Sequence, residues 1–282
     1  MRRLIINADD FGLATEINQG IILGHKEGLI TSTSIMCSAP CFEEAVELAK
    51  SCPGLGVGVH LTLVGGVRSL ASKAEVPSLL DAEGRFLDNY VCFAKRFYTG
   101  GINKLELEKE LRLQLERALS SGLRITHLDS HQHLHVLPGV AGLVQRLGEE
   151  YGIKKMRIPQ EDYFFKGGFS SGLGRLFGRN GLTLCAQLAA HGASVKGFRY
   201  PEHFFGMLAG GNLNVDLVAN VLKKLPEGTS ELMTHPGLSS EKLGKRFPWH
   251  YHWEEELAAY LDINNKRLVK NQNITLINFG DI

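Results

Sequence analysis

Two carboxylates stand side by side near the start of the chain, in the segment IINADDFGL at residues 5–13. Asp9 and Asp10 directly follow a short apolar run that is typical of a buried strand. Carboxylates at a strand end can bind a divalent cation or transfer a proton, whereas one aspartate would be enough to cap the next helix. The pair is therefore a candidate for chemistry, because helix capping alone does not explain why two carboxylates stand there.

Histidines follow other apolar segments. His60 lies in GVHLTL at 58–63, His235 lies in THPG at 234–237, and THLDSHQHLH occupies 126–135. In an extended chain alternate residues point the same way, so the last segment would direct five side chains to one face: His127, Asp129, His131, His133 and His135. One carboxylate and two imidazoles, with positions left open for water, are a common ligand set for catalytic divalent metals. Spacing alone does not choose between His131 and His133.

Each of these residues also has a structural explanation. One aspartate could cap a helix, His60 could be a hydrogen-bonded core residue, and His235 could simply precede a proline turn. The histidine-rich segment could be a solvent-facing polar run. The functional interpretation is favoured because the residues recur at equivalent strand ends instead of being scattered over helix faces.

The elements that would position these residues alternate between short β-rich runs and helical patterns. Strands are predicted at 4–8, 32–37, 55–62, 125–129, 154–158, 231–234 and 274–278. Helices are predicted at 15–27, 42–51, 104–121, 138–150, 215–224 and 253–270. This alternation predicts a parallel sheet, and its strand number favours a single-domain, TIM-barrel-like β/α barrel over an open doubly wound sheet. In either architecture the chemistry lies at the carboxyl ends of the strands.

The composition limits which binding partners and which cellular compartment are expected. The 282 residues carry 31 Lys and Arg against 30 Asp and Glu, and this net charge of +1 gives no reason to expect a nucleic-acid partner. No apolar stretch approaches the roughly 20 residues that span a bilayer, and no glycine-rich phosphate loop follows the first strand. Five cysteines without framework spacing favour reduced thiols. We therefore expect a cytoplasmic protein without a nucleotide cofactor.

The segments NADDFG, GVHLTL, THLDSHQHLH and THPG together resemble the YdjC-like carbohydrate deacetylase family. The resemblance spans nearly the whole chain and implies one domain over residues 1–282, a β/α barrel, and metal-dependent removal of an acetyl group from an N-acetylated sugar. Three further segments, CPGLGVGVHLTLVGG, VPSLLDAEGRF and MRIPQE, are most similar to the hopanoid-biosynthesis-associated branch, the HpnK type. That branch implies an N-acetylglucosaminyl hopanoid lipid as substrate, with soluble chito-oligosaccharides such as diacetylchitobiose as the alternative.

Carried onto this sequence, the family pattern implies roles for five residues. Asp10, His60 and His131 would bind the metal. Asp9 would be the general base and His235 the general acid. One carboxylate and two imidazoles suit Zn²⁺, Co²⁺, Ni²⁺ or Mn²⁺ and are compatible with Mg²⁺.

Two more residues are expected near the site. His133 is left outside the implied ligand set and would support a ligand or contact the substrate. Arg157 ends the predicted strand 154–158, where it could pair with Asp9 to hold its orientation and keep it ionised. A structural ion pair or a substrate contact are the alternatives for Arg157.

Residues 161–200 break the strand-helix rhythm and are rich in glycine and phenylalanine. We expect an inserted lid. It would be either a covering helix pair or a cation-flanked surface on which Phe164, Phe165 and Phe169 meet a lipid-linked sugar or a membrane face. A hopanoid substrate would require such a surface, with the protein peripheral to the inner membrane face. A homodimer is the default expectation for the assembly.

Two rival classes of protein are compatible with the same residues. A metal-dependent sugar isomerase or phosphoester hydrolase also uses carboxylates and histidines at strand ends, although an isomerase usually needs more carboxylate ligands. A non-catalytic sugar- or metal-binding protein would need the metal ligands but neither Asp9 nor His235.

Overall fold

A seven-stranded sheet forms the centre of the computed structural model, which describes residues 1–165, 167–170 and 172–282. The strands are β1 Arg2–Phe11, β2 Ser32–Ile35, β3 Gly56–Leu61, β4 Ile125–Ser130, β5 His203–Phe205, β6 Gly228–Thr234 and β7 Ile274–Leu276. Their order is β4-β3-β2-β1-β6-β5, and β7 pairs with the first residues of β1. All pairings between these strands are parallel, as the strand-helix alternation predicts.

The sheet does not close into the predicted TIM-like barrel. β4 and β5 are its two edges. Within the described ranges only single bridges lie between these edges, and they involve Met156, Arg199 and Glu161. The architecture is therefore a curled half-barrel of parallel strands in one α/β domain.

A bridging segment replaces the predicted strand at 154–158. The amide of Leu128 in β4 donates to the carbonyl of Lys155, and the amide of Arg157 donates back to Leu128. Pro159 follows and lacks an amide hydrogen, so the ladder ends there. The short edge strand β5, which the sequence did not predict, lies at the opposite edge of the sheet.

The helices surround this sheet. They are α1 Thr15–Lys26, α2 Phe42–Lys50, α3 Tyr90–Tyr98, α4 Lys104–Ser120, α5 Ala141–Glu150, α6 Leu173–Val195, α7 Val215–Lys224, α8 Ser240–Arg246, α9 Trp253–Leu261 and α10 Ile263–Asn271. The predicted ranges of α1, α2, α4 and α7 agree within one residue. The predicted helix 253–270 is two helices, because Asp262 leaves the helical conformation and its side chain accepts the amides of Asn264 and Asn265 as the cap of α10.

A continuous apolar core fills the space between sheet and helices. In α4 a leucine recurs at every fourth position. Leu107, Leu111 and Leu115 of this series are buried, and α4 packs on β3. Leu119, the next leucine in that period, is exposed at the end of the helix.

Helix α6 occupies most of the predicted lid at 161–200. Phe165 and Phe169 are partly buried against the core, whereas Phe164 is exposed. Lys166 and Ser171 of the predicted lid lie outside the described residues. In the part of the chain that the structure describes, no helix is long and apolar enough to cross a membrane.

Candidate metal and catalytic site

The carboxyl ends of four strands meet at one cavity of about 350 Å³. Asp9 near the end of β1, His60 in β3, His131 directly after β4 and His235 directly after β6 all line it. The structure therefore brings together the residues that the sequence placed at strand ends. Asp10 is buried in contact with two of them, His60 and His131.

An irregularity in β1 explains how both neighbouring aspartates reach the site. Adjacent strand residues normally point to opposite faces. Asp10, however, adopts a φ of 66°, and the pairing of β1 with β2 shifts register between Ala8 and Phe11. Positive φ is uncommon outside glycine, and aspartate is among the residues that tolerate it best. As a result His60 Nε2 lies 3.4 Å from Asp10 Oδ1 and 4.0 Å from Asp9 Oδ2.

Asp10, His60 and His131 form a group whose ligand atoms all lie within 4.8 Å of one another. His131 Nδ1 is 2.9 Å from Asp10 Oδ1. Asp10 Oδ2 and His131 Nε2 are buried, and neither has a hydrogen-bond partner among the described residues. Buried polar atoms normally have partners, and one carboxylate with two imidazoles is a suitable donor set for a divalent metal. These three residues therefore fit a divalent cation.

The charges of the site reinforce this fit. Burial alone would raise the pKa of Asp10, but His131 and His60 hold it well below its usual range. Burial also opposes charge on His60, yet the carboxylates of Asp129, Asp9 and Asp10 raise the pKa of His60 to about 10. The cavity thus concentrates negative charge on one side, and a cation there would be stabilised.

Asp129 orients His60. Its Oδ1 lies 2.8 Å from His60 Nδ1, and its Oδ2 accepts from Ser34 Oγ at 2.7 Å. A carboxylate on the far nitrogen fixes the tautomer of a ligating imidazole and leaves Nε2 directed at the site. The sequence grouped Asp129 with the histidines by parity but gave it no role. His60 and Asp129 are direct neighbours in the pairing of β3 with β4, and the sequence alone does not reveal this register.

Arg157 is fully buried and holds Asp9 in place. Its Nη1 and Nη2 donate to the two oxygens of Asp9, both at 2.7 Å. Nη1 also lies 2.9 Å from Asp129 Oδ2, and Nε donates to Glu231 Oε1 at 2.7 Å. The structure therefore contains the Arg157–Asp9 pair that the sequence suggested, together with two carboxylates that it did not connect to Arg157.

Glu231 was missed by the sequence analysis. It is completely buried in β6, and burial raises the pKa of Glu231 to about 8 although Arg157 works against the shift. The available signal was a charged residue inside a strand whose neighbours, Leu232 and Met233, are apolar.

His235 lines the cavity with one nitrogen unpaired. Nδ1 of His235 is buried, has no hydrogen-bond partner within the described ranges, and lies 4.0 Å from Glu256 Oε2. That same oxygen accepts the backbone amide of His235 at 2.5 Å and the hydroxyl of Thr234 at 2.6 Å. Glu256 therefore fixes the end of β6. It was missed because a glutamate inside a predicted helix is ordinary.

The extended geometry expected for 126–135 ends at Ser130, and the expectation of five side chains on one face is wrong. Residues His131–Val136 form a 3₁₀ segment in which Gln132 and His133 have φ of 54° and 58°. Strand alternation is lost at these two residues. His131 therefore reaches Asp10, while His133 lines the cavity outside the ligand group.

The two remaining histidines of that segment are structural. His127 stacks on Phe279 with ring centres 3.7 Å apart, and His135 bonds to Ser130 Oγ at 2.7 Å and to the carbonyl of Arg157 at 3.0 Å. Burial lowers the pKa of His127 to about 3 and that of His135 to about 4. Both rings are therefore neutral parts of the core.

Aromatic side chains form another part of the cavity wall. The ring centre of Trp249 is 5.3 Å from that of His131, and the ring of Tyr251 is 4.8 Å from that of His235. Helix α6 contributes Arg175 and Leu182 to the same wall. Aromatic faces of this kind combine apolar area with polar handles, which suits a ligand with C–H faces and hydroxyl edges.

Comparison with known proteins identifies the family. A family model described as "YdjC-like protein" matches residues 3–271. The chain belongs to the YdjC-like family. The family expected from the sequence motifs is therefore confirmed.

Two relatives align with nearly the whole chain. A carbohydrate deacetylase of Brevibacillus brevis is 33% identical over 288 residues, which are 99% of this chain and 99% of the relative. A carbohydrate deacetylase of Clostridium beijerinckii is 32% identical over 283 residues, covering 99% of this chain and 100% of the relative. A crystal structure of a candidate cellobiose-phosphate cleavage protein from Enterococcus faecalis V583 matches with a TM-score of 0.79 at 25% identity, covering 99% and 98% of the two chains.

Proposed function

We propose that this YdjC-like protein is a metal-dependent carbohydrate N-deacetylase that hydrolyses the acetamide group of an N-acetylated sugar. One arrangement carries the proposal: a carboxylate and two imidazoles that fit a metal lie beside a second carboxylate, Asp9, which Arg157 fixes through two hydrogen bonds of 2.7 Å. The names of the Brevibacillus brevis and Clostridium beijerinckii relatives support the reaction class.

The nucleophile and its base are the first requirement, because an amide carbonyl is a poor electrophile and neutral water a poor nucleophile. A divalent cation at Asp10, His60 and His131 would polarise the carbonyl and lower the pKa of water from about 15.7 toward about 7. Asp9 accepts the proton as the water oxygen bonds to the carbonyl carbon. Arg157 fixes the rotamer of Asp9 through two hydrogen bonds, which keeps the base oriented.

The leaving group is the second requirement, since the carbon–nitrogen bond breaks only when the amine departs protonated. His235 is proposed to donate that proton, because it lines the cavity and its Nδ1 has no partner in the described part of the chain. Glu256 holds the backbone of His235 and keeps the ring at the cavity. The products are acetate and a sugar with a free amine.

The substrate is proposed to be N-acetylglucosamine linked to a lipid of the hopanoid type. A cavity of about 350 Å³ is at the small end of ligand pockets, which span roughly 300–1,000 Å³, and it suits a single sugar head group. The sequence segments that resemble the hopanoid-associated branch support the lipid aglycone. Soluble chito-oligosaccharides such as diacetylchitobiose remain the alternative substrates.

The rival classes fit the site less well. An isomerase usually uses more carboxylate ligands than the one in this trio. A purely sugar-binding protein would have no use for a carboxylate fixed by a buried arginine beside the metal ligands.

The proposal is tested by acetate release from a substrate panel: an N-acetylglucosaminyl lipid, free N-acetylglucosamine and diacetylchitobiose. Each is offered to metal-stripped protein and to protein reconstituted with Mg²⁺, Zn²⁺, Mn²⁺, Co²⁺ or Ni²⁺. We expect release only after reconstitution, and fastest release from the lipid-linked sugar. Absence of acetate with all five metals would contradict the deacetylase, and faster release from the soluble sugars would contradict the lipid aglycone.

A further inference from the structure

A second groove lies beside the catalytic cavity. Its volume is about 770 Å³, against about 350 Å³ for the cavity, and the residues Gln132 and Trp249 line both. The cavity has room for one sugar head group, so a longer substrate has to continue outside it. A ligand that passes Gln132 and Trp249 enters this groove. We call it the arginine groove, because three arginines line it: Arg68, Arg85 and Arg246.

The wall of the arginine groove reaches the residues that fit a metal. Gly65 and Gly66 belong to this wall and have φ of 96° and 70°. A Cβ atom on Gly65 would lie only 2.9 Å from Nε2 of His131. Glycine adopts this backbone readily and has no side chain to keep the loop away from the imidazole. The groove is therefore a direct neighbour of the candidate metal ligands.

Apolar side chains form another part of the groove. Leu13 and Phe247 are buried there, and the ring centre of Trp249 is 5.0 Å from that of Phe247. The guanidinium carbon of Arg246 lies 5.1 Å from the centre of the Phe247 ring. A partly exposed aromatic face suits the C–H face of a sugar, and polar side chains beside it suit the hydroxyls. The groove thus offers both surfaces that a second sugar ring needs.

The charge of the groove is mostly positive. Three arginines line it, and Asp88 is the one carboxylate among its described lining residues. Arg68 and Arg85 are partners in an antiparallel bridge, so their side chains start from directly opposite positions. Like charges in such a pair repel, and the arrangement costs stability unless a negative group compensates it.

The protein provides that compensation for Arg85. This guanidinium lies 3.4 Å from a carboxylate oxygen of Asp81 and 3.7 Å from one of Glu83. No comparable contact exists for Arg68 or Arg246 with any residue that the structure describes. Two arginines of the groove are therefore available to a negative group on a ligand.

We propose that the arginine groove binds an anionic unit of the substrate, namely a sugar that carries a carboxylate or phosphate group and is joined to the acetylated sugar. The inference rests on the proposed function, because the acetylated sugar is taken to occupy the cavity. Planar guanidinium groups pair with carboxylates and phosphates through charge-assisted hydrogen bonds. An apolar chain is the less favourable occupant, since it would cover Arg68 and Arg246 without giving them partners. A lipid aglycone would therefore begin beyond this unit.

Three disaccharides with the same linkage test the inference: N-acetylglucosamine joined to glucose, to glucuronate and to glucose 6-phosphate. Acetate release from each is measured for the wild type and for an Arg68→Gln, Arg246→Gln variant. A matched control, Arg124→Gln with Arg267→Gln, removes two exposed arginines that line neither the cavity nor the groove. Circular dichroism and thermal unfolding establish that both variants fold.

We expect kcat/KM of the wild type and the control to be about tenfold or more higher for an anionic disaccharide than for the neutral one, through a lower KM. This preference should shrink as salt is added, because the arginines are exposed. It should be lost in the Arg68→Gln, Arg246→Gln variant. Comparing glucuronate with glucose 6-phosphate identifies the preferred anion.

Calorimetric binding of the same disaccharides to Asp9→Asn protein, in which hydrolysis is expected to be slow, separates this inference from the reaction. Tighter binding of an anionic disaccharide that depends on Arg68 and Arg246 would support the groove even if no substrate released acetate. Equal binding and equal kcat/KM for the three disaccharides would overturn it, even if all three released acetate. An anionic preference that survives in the Arg68→Gln, Arg246→Gln variant would also overturn it.

Discussion

At the scale of single residues, the most unusual environment is that of Arg157, whose one positive charge faces three buried carboxylates, Asp9, Asp129 and Glu231. The excess negative charge requires a bound cation or a proton. Glu231 is best placed to keep a proton, because it is completely buried and its Oε2 has no partner among the described residues, although Arg157 donates to its other oxygen. Burial, helped by Asp129 and Asp9, raises the pKa of Glu231 to about 8.

A protonated Glu231 predicts a specific dependence of stability on pH. The native pKa lies above the value of about 4.3 for an unfolded glutamate, so between these values the native state holds the proton more tightly. The stability that this proton contributes is present at low pH and is lost as pH rises through this window. Relative to Glu231→Gln, the wild type should therefore lose about 1.4 kcal/mol in free energy of unfolding per pH unit.

Chemical denaturation of the metal-free proteins near pH 6 and near pH 8 measures this difference. From pH 6 to pH 8 the free energy of unfolding of Glu231→Gln should rise by roughly 2–3 kcal/mol relative to that of the wild type. A difference in unfolding free energy that does not change with pH would show that Glu231 is ionised throughout.

At the scale of elements, one carboxylate ties the loop after β5 to the segment before α6. Glu161 is buried and accepts the backbone amides of Gly206, Met207 and Leu208 at 2.7, 3.1 and 3.0 Å. Arg179 of α6 lies 3.6 Å from the same carboxylate. Because Met207 also lines the cavity, Glu161 positions part of the cavity wall through this loop.

Replacing Glu161 by Ala should leave three buried amides without an acceptor. We expect a loss of about 3 kcal/mol in free energy of unfolding, by the usual penalty for such groups. KM should rise more than kcat falls, because the loop forms the cavity wall but carries neither Asp9 nor His235. Denaturation and steady-state kinetics measure both effects.

Glu255→Ala is the control for this substitution, since Glu255 is exposed and such surface changes usually stay within about 0.5 kcal/mol. Equal stability of the two variants would mean that the three amide contacts of Glu161 do not stabilise the loop.

Elements were predictable where a local pattern determines them. The apolar period gave α1, α2, α4 and α7 within one residue, and the carboxyl ends of parallel strands placed Asp9, His60 and His235 together. The 3₁₀ turn after β4 was not predictable, because Gln132 and His133 adopt left-handed backbone without a glycine to signal it. The open edges of the sheet and the hydrogen-bond partners of Glu256 depend on contacts between distant segments, which a local sequence pattern does not predict.

At the scale of the whole molecule, the three residues that fit a metal ion come from parts of the chain that are far apart in sequence. Asp10 and His131 are separated by 121 positions, and His60 comes from a third segment. A cation bound to all three would therefore join β1, β3 and the turn after β4. Binding to the native state alone stabilises the entire fold by mass action.

Adding a divalent metal to stripped protein should accordingly raise the unfolding temperature with metal concentration. At a hundred times the dissociation constant the expected stabilisation is about 2.7 kcal/mol. Asp10→Asn should abolish the shift, since asparagine also tolerates the left-handed backbone of residue 10 but removes the charge. Differential scanning calorimetry measures the shift, and an undiminished shift in Asp10→Asn would remove Asp10 from the ligand set.

The central claim is that two adjacent carboxylates divide the chemistry, with Asp10 holding the metal and Asp9 moving the proton. The most direct test is Asp9→Asn, measured for bound metal by atomic emission and for acetate release from an N-acetylglucosamine conjugate. We predict unchanged metal content, a folded protein, and acetate release reduced by roughly 10²–10⁴-fold. Undiminished acetate release, or loss of the metal from Asp9→Asn, would contradict this division of roles.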